Sequence, residues 1–538
     1  MPESPGTLAE MPVADTRTAV LIVGAGPVGL TARALLERWG VRTLLVERHG
    51  ELSPFPRSRL VNVRSMEIFR GLGLADRITA RAFAPRYGRV RFRDTLSGRD
   101  FATAAMAAVH APVPESPVTG VVTSQDRLEP VLLGAADTPV RFGTGLAGLT
   151  EEDDAVVARL ADHRTGAETR IRARYVLAAD GAHSTVRRLL GIGTAGPGAL
   201  GDATTVVFDA DLDRWCARQP AGVYFTPHGS FMPLYPEGGW AWFGPTPDGA
   251  GDTDWAGLVA RALGPGTGVR PRVLRVQHWV MEAFVAERLL HGRVLLAGDA
   301  AHAVPVIGGL GMNAGVADVH NLCWKLAGVL QGWAGPGLLA TYEPERHPVA
   351  HETLRQAVAN AQLLREVQRR RLAQLRAGGA VPDPVETPWA DRYFAQLGLV
   401  LGAVYRSAAV LPTDQPPTRP SDPGTDPGPG SGTDYVPTAD PGRRLPHLWL
   451  GDDRSTLDTV GAWFTLLTPD PAAWAQRTAG SVPLRVEPLP REHTEPYGLG
   501  PRGALLVRPD GHIAARWPDR PPTTTPLPDA LAGLTGRP

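Results

Sequence analysis

The stretch that decides the fold is TAVLIVGAGPVG, Thr18 to Gly29, an apolar strand that runs into a glycine-rich turn. Gly24 permits the tight turn, Gly26 lets the backbone approach a pyrophosphate, and Gly29 lets the following helix pack closely on the strand. Pro27 lies among them at the start of that helix. The pattern predicts the strand-turn-helix unit of a dinucleotide-binding fold.

The next strand, VRTLLVE, ends at an acidic residue, Glu47, which is placed to hydrogen-bond an adenosine ribose. An acid at this point favours a ribose with a free 2′-hydroxyl, and Gly40 ends the helix that precedes the strand. The order of strand, turn, helix, strand and acid argues against a chance match. It does not separate FAD from NAD.

Two later stretches repeat the strand-turn-helix pattern. RYVLAADGAHSTVRRLLGI, Arg174 to Ile192, places Asp180 and Gly181 after an apolar strand, and the helix start with its arginines can face phosphates. In GDAAHAVPVIGGLGMNAGVADVHNLCWKL, Gly298 to Leu326, Asp299 can accept hydrogen bonds from ribityl hydroxyls, and helix N–H groups can face the N1 and C2=O edge of a flavin. Either stretch alone also fits an ordinary turn with no ligand.

GAGPVG, ADGAHSTVR and GDAAH…GLGMN…NLCWKL together resemble the three cofactor motifs of the single-component FAD-dependent aromatic hydroxylases. These group A flavoprotein monooxygenases include 4-hydroxybenzoate hydroxylase, phenol hydroxylase and the tailoring hydroxylases of aromatic polyketide pathways. The resemblance runs from about Thr18 to the C-terminus. It departs at Val306, where the family usually has a second proline after Pro305.

The resemblance implies a reaction. NADPH or NADH reduces bound FAD, O2 adds to the flavin, and the C4a-hydroperoxyflavin transfers oxygen to an activated ring, here a polycyclic phenol of polyketide type. In the family the nicotinamide binds transiently at the surface and the flavin swings out to meet it, so no second GxGxxG unit is expected. The protein's share is to position the partners, to exclude water and to tune the flavin electrostatically.

The resemblance also implies which residues bind FAD. In FPRSRLVNVRSMEIFRGLGL, Arg57 is expected near the pyrophosphate or the flavin, and Gln125 in TSQDRLEPVLL stands where family members contact FAD. The full set expected at the cofactor is Gly24, Gly26, Pro27, Gly29, Glu47, Arg48, Arg57, Gln125, Asp180, Gly181, Asp299, Pro305, Gly311, Met312 and Asn313. On the sheet expected to cover the flavin, Tyr224, His228 and Tyr235 are candidates to orient or deprotonate a phenol. Each of the three also fits a half-buried sheet position with no catalytic part.

The spacing of the motifs predicts a discontinuous FAD-binding domain. The fold class is α/β, with a Rossmann-like (GR2-type) FAD-binding domain, an antiparallel-sheet substrate domain and, by the resemblance, a C-terminal thioredoxin-like domain. The predicted boundaries are a flexible tail at 1–17; the FAD-binding domain at 18–85, 119–194 and 286–345; the substrate-binding sheet at 86–118 and 195–285; a helical segment at 346–410; a Pro/Gly-rich linker at 411–442; and the thioredoxin-like domain, without CxxC, at 443–538.

Two further predictions concern the C-terminal half. The basic helical stretch at 344–379 is predicted to expose its arginines as a solvated face. GALLVRPDGHIAARW predicts a hairpin that turns at Pro509, Asp510 and Gly511. Because no cysteine follows residue 323, the last domain cannot do dithiol chemistry, and a structural or dimer-contact role is expected.

Composition narrows the partners. The 538 residues carry 55 basic and 55 acidic side chains, which gives no reason to expect nucleic acid or an anionic membrane. No run of about 18 apolar residues predicts a membrane span. Only Cys216 and Cys323 occur, so a cysteine-based metal site cannot form, no metal is expected, and a reducing cytoplasm is the expected location. The expected partners are an aromatic small molecule and O2, and the expected state is a monomer or homodimer.

Lysine usage excludes two other cofactor chemistries. Lys325 is the only lysine, and it lies inside an apolar helical run, where it is expected to support packing or a surface contact. Schiff-base chemistry with pyridoxal phosphate and Walker-A phosphate binding both need a lysine in another context.

Three alternatives stand beside hydroxylation. WAWFGP, Trp240 to Pro245, faintly resembles the Trp-x-Trp-x-Ile-Pro motif of flavin-dependent halogenases, but Gly244 replaces the isoleucine and the substrate half has no lysine. The stretch is therefore predicted to be a strand whose tryptophans alternate along one face. Baeyer–Villiger oxygen insertion is the runner-up, and no motif separates it from hydroxylation. A non-catalytic FAD-binding protein is the alternative of another class.

Overall fold

The computed structural model describes residues 16–377, 396–412, 435–475, 481–519 and 527–537. Most of the predicted tail at 1–17 and of the predicted linker at 411–442 lies outside the described residues, as does 378–395 of the predicted helical segment. Among the described residues, no helix is both long enough and apolar enough to cross a membrane.

The strands and helices follow one another along the described parts of the chain. The strands are β1 Thr16–Val23, β2 Thr43–Val46, β3 Leu60–Val61, β4 Arg89–Arg93, β5 Asp100–Ala105, β6 Val121–Val122, β7 Val140–Arg141, β8 Thr144–Glu151, β9 Val156–Asp162, β10 Glu168–Ala178, β11 Thr194–Asp209, β12 Val223–Thr226, β13 Gly229–Tyr235, β14 Gly238–Pro245, β15 Arg272–Ala286, β16 Leu290–His291, β17 Val294–Leu296, β18 His302–Ala303, β19 Phe464–Thr468, β20 Leu484–Pro488, β21 Ala504–Val507 and β22 Ile513–Trp517. The α-helices are α1 Pro27–Arg38, α2 Val63–Gly71, α3 Ala75–Thr79, α4 Gln125–Leu133, α5 Thr185–Leu189, α6 Asp213–Cys216, α7 Trp255–Leu263, α8 Gly311–Gln331, α9 Tyr342–Arg376, α10 Leu397–Leu401, α11 Pro471–Ala475 and α12 Leu527–Leu534.

The first sheet forms the core of the cofactor half and has the order β16-β17-β10-β1-β2-β7. β1 runs parallel to β2 and β10, and β10 runs parallel to β17. The continuous apolar run 20–22 of β1 is fully buried, as expected for a parallel strand covered on both faces. Val23 pairs with both Val46 and Ala178, so the carboxyl ends of these strands lie at one edge of the sheet.

The second sheet has the order β18-β15-β11-β14-β13-β12-β4-β5 and is antiparallel except for the parallel pair β12 and β4. Trp240 and Trp242 of β14 point to the same face, where they join a buried aromatic cluster with Tyr224 and Phe231. The prediction of a strand with alternating tryptophans is therefore confirmed. On another side of the sheet, Phe225 belongs to a separate apolar cluster.

The C-terminal part forms a third sheet with the order β20-β19-β21-β22. β19 and β20 are parallel and joined through α11, and β21 and β22 form an antiparallel hairpin before α12. Gly511 has a φ of 76°, as the predicted turn requires, so the hairpin is confirmed. Together the three sheets confirm the predicted α/β class with its Rossmann-like, antiparallel-sheet and thioredoxin-like parts.

The long helix α9 exposes Arg355, Arg365, Arg369, Arg370 and Arg376, as the predicted solvated arginine face requires, but two of its arginines depart from the prediction. Arg346 is 2% exposed and Arg371 is 3% exposed, so the prediction is wrong for both. Arg371 is buried because it reaches the second sheet and donates to both oxygens of Asp94 at 2.7 Å. Arg346 is buried because it pairs with Asp318 of α8.

Candidate active site

The three glycine-rich turns meet at the carboxyl edge of the first sheet. A Cβ atom on Gly24 would lie 2.4 Å from the carbonyl oxygen of Ala179 and 3.0 Å from the Cα atom of Asp180. The Ala25 N–H donates to the Glu47 side chain at 2.8 Å. Parallel strands bring their carboxyl ends together, so the predicted residues Gly24, Glu47 and Asp180 are neighbours.

An open cradle lies in front of helix α1. Gly26 is the N-cap residue, no side chain caps the helix, and a Cβ atom on Gly26 would meet no atom within 4 Å. The free N–H groups and the positive end of the helix dipole therefore face open space, which fits a pyrophosphate. Pro27 takes the first helical position, and Gly29 is packed so closely that a Cβ would lie 1.9 Å from the Gly24 carbonyl oxygen.

A second open helix start lies at α8. No side chain caps this helix, and a Cβ on Gly311 would lie 3.8 Å from Oδ1 of Asp299. Burial among neighbouring protein groups raises the pKa of the Asp299 carboxyl, and the charges of His302 and Arg57 oppose this shift. The side chain is nevertheless exposed to solvent. An acceptor open to a cleft beside free helix N–H groups fits ribityl hydroxyls and the polar edge of a flavin.

Asn313 ties the start of α8 to the segment that carries Arg57. Its Nδ2 donates to the carbonyl oxygens of Leu60 and Gly309 at 2.9 and 2.7 Å, and its Oδ1 accepts the N–H of Asn62 at 2.9 Å. Asn313 is buried, so these bonds fix the first turn of the helix. All its side-chain atoms are used within the protein, which makes it a support for the cleft.

The other predicted residues of this turn differ in exposure. Pro305 is buried, while Val306 is 47% exposed. Met312 is partly buried against the main core. Val306 therefore presents an apolar side chain at the point where the family usually has a second proline.

Glu129 is a central residue that the sequence patterns did not single out. It is 1% exposed, its Oε1 accepts from Gln125 at 2.7 Å, and its Oε2 has no partner among the described residues. Burial raises its pKa to about 7. The hydrogen bond from Gln125, the nearby Arg57 charge and the backbone of Ser53 oppose this shift, and the Glu47 charge adds to it. Gln125 and Glu129 are one turn apart on α4, and this i, i+4 spacing was the signal available in the sequence.

A buried network supports the Asp299 turn from below. Asp318 accepts from the Gly298 N–H at 3.0 Å and from Nε of Arg346 at 2.7 Å, and it lies 2.6 Å from Nε2 of His302. Burial opposes its ionisation, but His302 and Arg346 outweigh burial and lower the pKa of Asp318 to about 2. The sequence patterns did not identify Asp318 or Arg346, because each lies inside a helix far from a strand end.

The turn at Asp180 is bonded mainly to its own helix. The carboxylate accepts the N–H groups of Thr185 and Val186 at 2.7 and 3.1 Å and the Ser184 hydroxyl at 2.6 Å. Arg187 donates to backbone carbonyls, including that of Ala300. The start of α5 is thus satisfied by protein groups, in contrast to the open starts of α1 and α8.

Three further predicted cofactor residues are open to their surroundings. Arg48 and Arg57 are exposed next to this region, and Gly181 is half-buried with a φ of 83° and open space around it. The open position of Gly181 leaves room for a ligand to approach the backbone.

The three predicted substrate residues do not share one environment. Tyr224 is fully buried and its hydroxyl donates to the Gln219 carbonyl at 2.9 Å, so its pKa is raised by burial and it faces away from the cleft. His228 is exposed at the tip of the β12–β13 hairpin. Tyr235 donates its hydroxyl to Asp126 at 2.5 Å, beside the start of α4, and burial raises its pKa to about 12. Only Tyr235 lies next to predicted cofactor residues.

The residues at this edge of the sheet have the chemistry that FAD binding requires. Several groups that can bind a ligand lie at one edge of the parallel sheet: the two uncapped starts of α1 and α8, Gly26 with open space in front of it, and the exposed Asp299. These groups match a pyrophosphate, a ribityl chain and the polar edge of an isoalloxazine. Gly24, Gly26, Asp299 and Gly311 are brought together; Tyr224 and His228 are not.

Two family models cover most of the chain. Residues 17–357 match the FAD binding domain family, and residues 438–538 match the C-terminal domain of aromatic-ring hydroxylases. The first match spans more than half of the chain and includes all three turns described above.

Relatives in sequence are named as monooxygenases. The chain is 37% identical to aklavinone 12-hydroxylase RdmE of Streptomyces purpurascens, over 93% of this chain and 96% of that protein. It is 34% identical to the tetracenomycin B2 monooxygenase-dioxygenase of Streptomyces olivaceus, over 92% of this chain and 94% of that protein.

Solved structures agree over almost the full length. The flavin-dependent monooxygenase PieE, in complex with FAD and substrate, matches with a TM-score of 0.86 and 32% identity, covering 97% of this chain and 100% of that one. A ternary complex of aklavinone-11 hydroxylase with FAD and aklavinone matches with a TM-score of 0.81 and 35% identity, with the same coverage. The chain belongs to the FAD-dependent aromatic hydroxylases, the NAD(P)H-using flavoprotein monooxygenases that join an FAD-binding domain to an aromatic-ring hydroxylase C-terminal domain.

Proposed function

We propose that the protein uses NAD(P)H and O2 to hydroxylate a polycyclic, phenolic substrate of the aromatic polyketide type. The observation that carries the proposal is the near full-length similarity to proteins named for aklavinone and tetracenomycin, at 34 to 37% identity. It is supported by the exposed Asp299, whose turn leads directly into β18, a strand that pairs with β15 of the second sheet. The proposed monomer or homodimer works in the cytoplasm, where its two free, buried thiols would stay reduced.

We assign the FAD contacts to the residues of the open edge. Gly26 and the start of α1 would take the pyrophosphate, Glu47 the adenosine ribose, and Asp299 the ribityl hydroxyls. The uncapped start of α8 would stabilise negative charge on the flavin's N1 and C2=O edge. The remaining proposed contacts are Gly24, Pro27, Gly29, Arg48, Arg57, Gln125, Asp180, Gly181, Pro305, Gly311 and Met312, together with Asn313 through its backbone N–H, because the side chain of Asn313 is bonded within the protein.

When bound, FAD supplies the hydride acceptor and the centre of oxygen activation. The chain's own residues position and protect the reacting groups. The Asp318 network holds the turn from Gly298 to His302 rigid, so Asp299 keeps its place in the cleft. With cofactor and substrate bound, the second sheet, which pairs with the Asp299 turn through β18, would keep water away from the reacting groups.

The proposed domain boundaries follow the sequence prediction. The FAD-binding domain comprises 18–85, 119–194 and 286–345, and the substrate domain comprises 86–118 and 195–285. Support comes from β4, β5 and β11 to β15, seven of the eight strands of the second sheet, which come essentially from the two stretches assigned to substrate binding; the eighth, β18, comes from the FAD-binding stretch 286–345. Limited proteolysis followed by mass mapping of the stable fragments tests these boundaries.

The test of the function is a screen of polycyclic phenols. The purified protein should be yellow, and a true substrate should accelerate NAD(P)H oxidation and yield a product one oxygen heavier. NMR of the product separates the two oxygen insertions: a new ring hydroxyl supports the proposal, and a ring-expanded lactone identifies Baeyer–Villiger oxidation instead. A yellow protein that oxygenates none of these phenols contradicts the proposed substrate class.

A further inference from the structure

Arg59 is a half-buried residue whose guanidinium has a buried edge without a hydrogen-bond partner among the described residues. Its Nη1 donates to the Gly222 carbonyl oxygen at 3.0 Å. Its guanidinium carbon lies 5.5 Å from the centre of the Phe83 ring, a cation–π contact. Its Nε and Nη2 are buried, and neither has a hydrogen-bond partner among the described residues. Burial lowers the pKa of Arg59 only to about 10, so the guanidinium stays charged at neutral pH. Leaving charged donors buried and unpaired is costly, which indicates that another group completes the site.

The position of Arg59 links the cofactor cleft to the covering sheet. On one side, the Ser58 N–H donates to Oε1 of Gln125 at 3.3 Å; on the other, the Leu60 carbonyl accepts from Asn313 at 2.9 Å. Gly222, which accepts from Arg59, directly precedes β12 of the second sheet. The guanidinium therefore lies at the boundary between the FAD-binding residues and the second sheet, here called the seam, where a substrate placed over the flavin would contact the protein.

An acceptor accompanies the cation. Asp126 and Tyr235 are close enough to act on the charge of Arg59. Oδ2 of Asp126 accepts the Tyr235 hydroxyl at 2.5 Å, which orients the carboxylate, while Oδ1 is buried with no donor among the described residues. The seam thus offers two free N–H donors and one free carboxylate oxygen within a single polar cluster.

The free edge selects a particular chemistry. Nε–H and one Nη–H of a guanidinium form a planar fork that binds two neighbouring oxygens in bidentate fashion. Matching groups are a carboxylate, or an ionised hydroxyl beside a ring carbonyl. FAD offers phosphate oxygens, but these are assigned above to the open start of α1, whereas the hydrogen-bond partner of Arg59, Gly222, directly precedes β12 of the second sheet. A substrate group is the better match.

We propose that Arg59 and Asp126 form a substrate subsite, in which the Arg59 fork binds a negatively charged pair of neighbouring oxygens and Oδ1 of Asp126 accepts from an adjacent hydroxyl. Tyr235 is then a positioning residue that orients Asp126. The subsite rests on the proposed function, since it requires a polycyclic oxygenated substrate between the cofactor cleft and the second sheet.

The experiment measures binding of three probes to the FAD-bound protein by equilibrium dialysis: 1,8-dihydroxyanthraquinone, anthraquinone-2-carboxylate and unsubstituted anthraquinone. Wild type should bind both oxygenated probes at least about tenfold more tightly than anthraquinone, because charge-assisted hydrogen bonds add this much. Arg59→Met should weaken the oxygenated probes by about 10- to 100-fold and leave anthraquinone within about threefold. The affinity of Arg59→Lys for the oxygenated probes should lie between those of wild type and Arg59→Met, because lysine keeps the positive charge but cannot make the bidentate hydrogen bonds of the guanidinium.

Two controls separate the causes. Arg89→Met removes an arginine of β4 whose Nε bonds Thr103, and it should leave all three dissociation constants unchanged. Asp126→Asn should weaken the dihydroxy probe and spare the carboxylate probe, which has no hydroxyl to donate. Flavin content is measured for every variant, and the comparison of probes on wild type holds even if Arg59→Met does not fold.

Several results would overturn the subsite. Equal weakening of all three probes by Arg59→Met would show that Arg59 only packs. If Arg59→Met lost FAD but bound the probes as the wild type does, the Arg59 guanidinium would instead bind the phosphates of the cofactor. Failure of the wild type to bind any probe would refute both the subsite and the proposed substrate class, and this outcome is seen without any substitution. Wild-type binding of all three probes with equal strength refutes the subsite alone.

Discussion

At the scale of single residues, Glu129 is the most unusual group of the cleft. A carboxylate that is 1% exposed and keeps one oxygen unpaired is costly to ionise, and its pKa rises to about 7. Between pH 4.5, the ordinary pKa of a glutamate, and pH 7, the Glu129 carboxyl therefore stays protonated in the folded protein while it ionises in the unfolded chain. Stability from this group is present below pH 4.5 and is lost as pH rises through 7.

Glu129→Gln tests this linkage. The amide keeps the size and cannot ionise, so the variant should be more stable than wild type above pH 7, by up to about 3 kcal/mol at pH 8, and nearly equal at pH 4.5. Urea unfolding of the FAD-free protein at a series of pH values measures the difference. Glu51→Gln, at an exposed carboxylate, is the control and should not change the pH profile. A Glu129→Gln profile parallel to wild type would contradict the account.

Which site residues the sequence reveals depends on where they lie in the elements. Gly24, Glu47 and Asp299 follow buried parallel strands, and strand ends converge by topology, so their proximity is predictable. Glu129 and Asp318 lie inside helices, where a polar residue looks the same whether it faces solvent or a buried partner. The i, i+4 spacing pairs Glu129 with Gln125, but the burial of Glu129 and the partners of Asp318 depend on packing between segments distant in sequence.

At the scale of elements, substitutions at two glycines before helix α1 should distinguish an effect on folding from an effect on cofactor binding. Gly24 has a φ of 103°, and a Cβ there would lie 2.4 Å from a backbone oxygen, whereas a Cβ on Gly26 would meet nothing within 4 Å. Gly24→Ala should cost about 1–3 kcal/mol or more of stability, because both the conformation and the contact are strained. Urea unfolding measures this loss.

Gly26→Ala should instead fold like wild type and lose FAD. The added methyl group projects into the space proposed for the pyrophosphate, so FAD affinity should fall about tenfold or more, equivalent to about 1.4 kcal/mol. Fluorescence titration of the FAD-free protein with FAD measures the affinity. Gly251→Ala, also in open space but far along the chain, should change neither property. Unaltered FAD binding by Gly26→Ala would refute the assignment of the cradle.

Helices also show the limit of reading charge along a sequence. The arginine-rich stretch of α9 has the composition of a solvated face, yet Arg346 and Arg371 are buried in ion pairs with Asp318 and Asp94. The helix packs against two other parts of the protein, and periodicity cannot show which arginines meet a carboxylate. The apolar strands were predictable because burial of a whole strand leaves a continuous hydrophobic run.

At the scale of the whole molecule, the C-terminal domain is joined to the cofactor half through buried charge. Arg508 donates to both oxygens of Glu345 at 2.6 and 2.8 Å and also pairs with Asp510. Lys325 donates to the same Glu345 at 2.7 Å, so the only lysine is neither a simple packing residue nor a surface contact. Arg508 and Lys325 hold the pKa of Glu345 far below its usual range against the effect of burial.

Arg508→Met should destabilise the protein by about 3–5 kcal/mol, because it leaves buried carboxylates without their main partner. Arg502→Met breaks an exposed pair with Asp519 and should cost at most about 1 kcal/mol. Urea midpoints of the two variants give the comparison. Similar small losses in both would mean that the C-terminal domain does not depend on this contact. The thioredoxin-like fold itself was predictable, but this docking was not, because its charged partners lie far apart in the sequence.

The central claim is that the cleft at the carboxyl edge of the first sheet makes this protein an FAD-dependent aromatic monooxygenase. The most direct measurement is turnover under 18O2 in ordinary water, with NAD(P)H and the phenol that most stimulates its oxidation, followed by mass spectrometry of the product. We expect one 18O atom per product molecule, and no product from Gly26→Ala at FAD concentrations that saturate only the wild type. Product oxygen derived from water, or product formed equally well without FAD, would contradict it.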